Sequence, residues 1–375
     1  METIGEGAYA QVYSSEEGVA IKVIADEDVN SAIREALLIN ACDNPNVIKM
    51  INVKSAKNST EIRLEQCHAD LRKVLDDYSI EASKMLQLAR NIISAVAHVH
   101  SRGIIHGDIK SSNILVNNGE AILCDFGISV LDTEEYHSGL IQTCTYRAPE
   151  INETKRRTKF TPKIDMWSVG CVLYEMAMGS AIVKYNQFIS DSSVYAAKIM
   201  NINGCADRRE RLKVLRDLRF DDVRSIISKK MESHPEYKKL IKSKYIDLIS
   251  LMLIPDHHVR VSSENALMYI NDMLGYRLNS DKPVRLVPDY DNFTVIRGID
   301  HRVIRQSRPE HLMLAESIYR KINKNGDTTV NYKLACIYIS TCLYLNEPVR
   351  HLISGIRANI KKYVFDVLDM IDWRI

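Results

Sequence analysis

The stretch His106-Gly107-Asp108-Ile109-Lys110-Ser111-Ser112-Asn113 sets a carboxylate, an amine and an amide at offsets 0, +2 and +5, and twelve residues after Asn113 comes Asp125-Phe126-Gly127. Transfer of a phosphoryl group asks little covalent chemistry of a protein. It needs metal ions that neutralise the phosphates, a carboxylate that orients the attacking hydroxyl and a cation on the transferred group. Those groups are present. Two multi-residue motifs in this order and at this spacing set the pattern apart from a chance cluster of polar loop residues.

Regular elements must hold such loops. The first 65 residues alternate apolar and polar in short runs at Ala10–Tyr13, Val19–Ile24, Val47–Val53 and Glu61–Leu64, with one helical stretch over 30–41, which predicts a small sheet with one helix. From about residue 82 the period becomes helical: Met85, Leu88, Ala89, Ile92, Ile93, Val96 and Val99 recur at spacings of three and four, giving one buried stripe. Strand-like runs at 114–116 and 121–124 flank Asn117-Asn118-Gly119, a hairpin signal. Helical patterning resumes over 163–178 and continues in pieces to 275. The segment 278–296, with Asp281-Lys282-Pro283 and Pro288-Asp289, loses the period, and 310–375 is helical again.

With 375 residues the chain exceeds one ordinary domain, and 46% hydrophobic with 26% charged residues excludes wholesale disorder and a fibrous protein. A formal net charge of +2 gives no global case for nucleic-acid or membrane binding. The N-terminus opens on Gly5-Glu6-Gly7 without an apolar signal region, and no apolar stretch approaches membrane-spanning length, so a cytoplasmic or nuclear location is expected. Eight cysteines are scattered without a C-x-x-C pair, most of them in apolar runs, which predicts buried reduced thiols.

On His106–Asn113 and Asp125–Gly127 the chain resembles the eukaryotic protein kinases, over about residues 1–275. The resemblance implies an α+β, bilobal kinase fold over 1–277, with a β-rich N-lobe (1–67) and a helical C-lobe (68–277); a linker (278–300) and a small all-α domain (301–375) follow. It implies ATP and Mg²⁺, with Asp108 as catalytic base, Lys110 on the γ-phosphate, and Asn113 and Asp125 as metal ligands. Lys110, two residues after the base, marks Ser/Thr rather than Tyr specificity, and Thr143 aligns with the hydroxyl that bonds the catalytic Asp and Lys.

The flanking motifs extend the likeness. Gly5-Glu6-Gly7-Ala8-Tyr9-Ala10-Gln11-Val12 resembles the loop that covers the phosphates, with Ala10 in place of the third glycine and a first strand expected to be shortened or partly absent. Val19-Ala20-Ile21-Lys22 resembles the strand whose Lys grips the α- and β-phosphates, and Glu35 is its implied partner. Leu64-Glu65-Gln66-Cys67 falls at the adenine hinge, and Leu115 joins Val12 and Ala20 among the nucleotide contacts. Asp70 either reaches the ribose or caps a helix beginning at Leu71. Ala148-Pro149-Glu150 closes the activation segment with Arg260 as the partner of Glu150, and Asp165 and Trp167 match the central C-lobe anchor.

Ser31-Ala32-Ile33-Arg34-Glu35 resembles the signature helix of the cyclin-dependent kinases, and Tyr146-Arg147-Ala148-Pro149-Glu150 carries the Arg that favours Pro after the target Ser or Thr. Tyr319–Ile322, Tyr332–Pro348 and Val364–Trp373 resemble the second, third and fifth helices of a cyclin box, with Cys342 and Val364 where cyclins carry the Lys and Glu that hold their kinase. A proline-directed kinase activated in cis by a fused cyclin-like domain over 301–375 is the favoured expectation, with protein substrates and neither membrane nor direct nucleic-acid partners. A scaffold without catalysis, and a kinase of another branch with an unrelated helical tail, are the alternatives.

Gly107 and Val130 stand where the resembled kinases carry two of three arginines that grip a loop phosphate, and only Arg34 remains. Thr133, Tyr136 and Ser138 are therefore poor switches, and activity without loop phosphorylation is expected. The basic run Lys155-Arg156-Arg157 with Lys159 fits a solvated loop, a nuclear-localisation signal or an acidic-substrate contact. His98, His100, His257 and His258 have no metal-ligand setting in the sequence, and His100 is expected to be packed.

Overall fold

The computed structural model describes residues 2–6, 10–15, 18–25, 29–56, 59–77, 80–133, 135–137, 141–151, 157–189, 191–205, 207–235, 237–242, 244–276 and Val367. They fall into two compact units. The expected linker (278–300) and, Val367 apart, the expected all-α domain (301–375) lie outside the described residues.

The first unit contains the described residues up to Asp43, those from Ile48 to Gln66, and Val367. Its strands β1 (Glu2–Glu6), β2 (Ala10–Ser14), β3 (Val19–Ala25), β4 (Met50–Ser55) and β5 (Ser59–Glu65) make one antiparallel sheet in the order β1-β2-β3-β5-β4. The helix α1 (Val29–Asn40) connects β3 to β4. Cross-strand partners share a face of a sheet and side chains alternate along a strand. Val12 lies opposite Lys22, Lys22 opposite Ile62 and Ala20 opposite Leu64, so Val12, Ala20, Lys22 and Leu64 share one face. β1 is five residues long and paired with β2, with a bulge between Thr3 and Gly5.

In α1 every residue from Ala32 to Ile39 is buried. Eight consecutive residues make more than two turns at about 3.6 residues per turn, so this stretch offers no face to solvent. Val367 is likewise helical and fully buried.

The second unit contains Asn44–Val47 and the described residues from Cys67 to Tyr276. It opens with β6 (Ala69–Asp70), α2 (Leu71–Asp77), α3 (Ala82–Ser101) and β7 (Ile104–Ile105). Then come β8 (Ile114–Asn117), β9 (Glu120–Leu123), β10 (Val130–Leu131), β11 (Glu135–His137) and β12 (Arg157–Lys159). The helices α4 (Lys163–Met178), α5 (Ser192–Ile199), α6 (Arg208–Asp217), α7 (Phe220–Met231), α8 (Tyr237–Lys242), α9 (Tyr245–Met252) and α10 (Ser263–Leu274) follow. The stripe read along α3, Met85 through Val99, is buried throughout. The turn between β8 and β9 has Asn118 at φ 51° and Gly119 at φ 81°, the left-handed pair that a two-residue hairpin with right-handed strand twist requires.

Three expectations are corrected here. Arg157–Lys159 form β12 against Glu135–His137, so this part of the basic run is a paired strand rather than a solvated loop. Backbone hydrogen bonding overrides its charge. Of the six described cysteines only Cys42 and Cys171 are buried, while Cys67, Cys124, Cys144 and Cys205 are partly exposed; all six are free thiols. Val47 makes a lone parallel bridge to Leu123 instead of starting a strand, which leaves β4 to begin at Met50. Among the described residues no helix is long and apolar enough to cross a membrane.

Candidate active site

Within the second unit, β7 delivers the chain into His106–Lys110, and one turn of 3₁₀ helix, Ser111–Asn113, carries it on into β8. Asp165, fully buried in the first turn of α4, anchors this loop. Its Oδ2 accepts from the backbone N–H of His106 at 2.8 Å, and its Oδ1 from that of Gly107 at 3.0 Å. His100 on α3 completes the anchor, with Nε2 2.9 Å from Asp165 Oδ2 and Nδ1 2.9 Å from Ser263 Oγ. A carboxylate accepts only, so His100 Nε2 is the donor there. Burial alone would raise the Asp165 pKa; the His100 hydrogen bond, the charges of His100 and His106 and the Gly107 N–H outweigh it and hold the carboxyl below its ordinary value of 3.8.

Asp108 is held on every side. Its Oδ2 accepts from Lys110 Nζ at 2.7 Å and from Asn113 Nδ2 at 3.0 Å, while Oδ1 accepts from Thr143 N at 3.1 Å and Thr143 Oγ1 at 2.8 Å. Lys110 Nζ also lies 3.3 Å from Thr143 Oγ1. Four donors thus occupy the roughly four lone-pair sites of one carboxylate and fix its plane. Asp108, Lys110, Asn113 and Thr143, named separately from the sequence, form a single hydrogen-bonded cluster.

The second motif is tied to the first. Cys124 N donates to Asn113 O at 3.0 Å, His106 Nε2 donates to Cys124 O at 3.0 Å, and the rings of His106 and Phe126 meet edge-on with centroids 4.9 Å apart. Asp125 follows with φ 66°, a left-handed conformation unusual for a residue with a side chain. Asn113 uses its amide nitrogen on the carbonyl and carboxylate of Asp108, which directs its Oδ1 away from them. An amide oxygen and a carboxylate are the hard donors that Mg²⁺ takes, so the residues present fit that ion.

Thr143 is delivered by the end of the activation segment. Gln142 N donates to Gly107 O at 2.7 Å, and Arg147 Nε and Nη2 donate to Gln142 O at 3.0 and 2.8 Å. Arg260 grips Glu150 through both carboxylate oxygens, at 2.8 and 3.0 Å. Sequence reading missed a buried network behind this segment: Tyr146 Oη donates to Glu175 at 2.7 Å and meets Ser111 Oγ at 3.2 Å, and Arg72 reaches the same Glu175 at 2.5 Å. Burial first, then the charge of Glu175, pushes the Tyr146 hydroxyl above its ordinary pKa, so it stays protonated as the donor. A Glu in the middle of a helix whose other residues are nearly all buried was the one signal that could have flagged it.

In the first unit Lys22 Nζ donates to both oxygens of Glu35, at 2.7 and 2.8 Å. Gly5 lies opposite Val12 and Glu6 opposite Gln11, Leu64 and Glu65 end β5, and Gly7 lies outside the described residues. Cys67 and Leu115 belong to the second unit, where Leu115 pairs in register with Asp70. Asp70 caps the start of α2, where Lys73 N donates to its Oδ1 at 2.9 Å. His257 and His258, read as lacking a ligand setting, stand with Asp256 so that one ligand atom of each lies within 4.8 Å of the others.

The family model for the protein kinase domain matches residues 1–269. Among curated proteins the chain is 32% identical to cyclin-dependent kinase C-2 C of Arabidopsis thaliana over 202 residues, 49% of this chain and 31% of that protein. It is 25% identical over 285 residues to the CTD kinase subunit alpha of Schizosaccharomyces pombe, 72% of this chain and 47% of that protein. It is 28% identical over 298 residues to the mitogen-activated protein kinase sty1 of Schizosaccharomyces pombe, 76% of this chain and 82% of that protein. The chain spans less than half the length of the first two and most of the third.

Proposed function

The chain belongs to the protein kinase family, and we propose that it is an ATP- and Mg²⁺-dependent serine/threonine kinase, proline-directed and similar to the cyclin-dependent kinases. The observation that carries this reading is the Asp108 carboxylate, fixed by Lys110, Asn113 and Thr143. All its acceptor positions are filled, so a substrate hydroxyl must take the place of a donor. Lys110, a cation on a long stem, is the donor able to leave, moving to the transferred phosphoryl group. Oδ2 then orients the hydroxyl and receives its proton, while Thr143 keeps Oδ1 in place. Asn113 and Asp125 would hold Mg²⁺, which when bound neutralises phosphate charge; Lys22, steered by Glu35, grips the α- and β-phosphates.

Proline direction is supported at Arg147. Its guanidinium occupies the carbonyl of Gln142, which therefore cannot accept the N–H of the residue following the phosphoacceptor. A residue without an N–H loses nothing there, and that residue is proline.

Activation in cis by residues 301–375 is supported by the burial of α1 on all sides. The sheet can cover only one side of a helix, and Val367, within the stretch that resembles a cyclin helix, is itself fully buried in the same unit. Independence from loop phosphorylation is supported by Gly107 and by Val130, which is buried in β10 opposite Ile105 and offers no cation. The whole reading is tested with phosphatase-treated full-length chain, labelled ATP and an oriented peptide library. Transfer to Ser and Thr followed by Pro is expected; no transfer, or transfer indifferent to the following residue, contradicts it.

A further inference from the structure

Gln142 sits at φ 60°, in the left-handed region, which a residue other than Gly, Asn or Asp rarely occupies and which costs free energy unless its surroundings impose it. Besides the backbone bonds to Gly107 and Arg147, the side chain makes three bonds of its own. Nε2 donates to Ile164 O at 2.8 Å and to Ser168 Oγ at 2.9 Å, both on α4, and Oε1 accepts from Ala148 N at 2.9 Å. The Ser168 hydroxyl in turn donates to Tyr146 O at 2.8 Å. Gln142 is only 4% exposed, so every one of these bonds replaces water that cannot reach the site.

Its neighbour Ile141 packs where a side chain at position 107 would project. A Cβ on Gly107, at φ 78°, would lie 3.0 and 3.1 Å from Ile141 Cγ1 and Cδ1, and Ile141 is fully buried.

We propose that Gln142 is the positioning residue that sets substrate specificity in this kinase: its buried amide ties the segment to α4 and turns its carbonyl toward Arg147, so that peptides with Pro after the phosphoacceptor are selected without a loop phosphate. This rests on the proline-directed reading above. The side chain supplies three neutral hydrogen bonds at the point where the chain must hold an unfavourable φ. Without them the backbone relaxes, the carbonyl leaves Arg147 and accepts the N–H of a non-proline residue.

The test uses the full-length, phosphatase-treated chain and two peptides that differ only in having Pro or Ala after the phosphoacceptor. Gln142→Met keeps the volume and removes all three bonds. The ratio of kcat/KM for the Pro over the Ala peptide is expected to fall about tenfold, with KM for ATP unchanged. A merely structural role would lower Tm and scale both peptides by one factor; an unchanged ratio overturns the proposal. If Gln142→Met does not fold, Ser168→Ala carries the test by removing one of the amide's acceptors. A fall of about two- to threefold in the same ratio is then expected, and no change overturns it. Wild type without transfer, or without proline preference, sinks the proposed function; wild type that has both, with variants of unaltered ratio, sinks the role of Gln142 alone.

Discussion

Lys22 and Glu35, thirteen residues apart on β3 and α1, meet through two hydrogen bonds of 2.7 and 2.8 Å, with side chains 14% and 3% exposed. A pair this far from water behaves differently from a surface ion pair, because removal of one charge takes a buried counter-charge from the other. Glu35→Gln should lower stability by about 2–5 kcal/mol in denaturant titration, whereas a surface pair would give about 0–1 kcal/mol. Phosphoryl transfer should fall with it by about two orders of magnitude, since Lys22 is no longer steered.

Gly107 has no room for a methyl group. Gly107→Ala would force a side chain into φ 78° and against Ile141, and a loss of about 1–3 kcal/mol is expected. Part of that loss is the steric contact itself. The double variant Gly107→Ala with Ile141→Ala should therefore lose less than the sum of the singles, read as a non-additive term in a thermal-unfolding cycle.

The Asp165 carboxyl is held below 3.8 in the folded chain despite complete burial. A folded-state pKa below the unfolded value means that the carboxylate contributes stability above the ordinary carboxylate range, and that this contribution is lost as pH falls through the depressed value. Stability measured from about pH 6 downward should decline below about pH 4 in the wild type. Asp165→Asn should be less stable at neutral pH, with a shallower decline in that acid window. An equally steep acid limb in the variant would place the titrating group elsewhere.

Val367 offers a direct probe of the C-terminal segment. Val367→Asp puts a charge at a fully buried helical position. If residues 301–375 support α1, amide exchange over Ala32–Ile39 should accelerate and kinase activity should fall together. Faster exchange confined to the C-terminal segment, with activity intact, would detach that segment from activation.

The legible part of this protein was the part whose signals are local. The stripe on α3 has one buried and one partly exposed side, and the Asn118-Gly119 turn demands its φ values wherever it occurs, so both stand where the sequence put them. In α4 burial on all sides from Ile164 to Ala177 erases the stripe, and the Glu175 network with Tyr146 and Arg72 has no periodic signature. The Asp108–Thr143 bond spans 35 residues and was reachable only through a family likeness. Gln142 was invisible for a further reason: neither a left-handed φ nor a hydrogen bond to Ser168, 26 residues away, leaves any trace in residue type. At Asp70 the helix-capping rule is local and so was legible: the start of α2 exposes an N–H that a carboxylate satisfies immediately.

The central claim, that Asp108 is the group on which phosphoryl transfer turns, is tested by comparing Asp108→Asn with wild type in the full-length chain under saturating ATP and Mg²⁺. Asn keeps the shape and one acceptor but cannot receive the hydroxyl proton. Transfer to a Ser-Pro peptide is expected to fall by about two to four orders of magnitude, with nucleotide affinity unchanged. Equal transfer by the two proteins would contradict it.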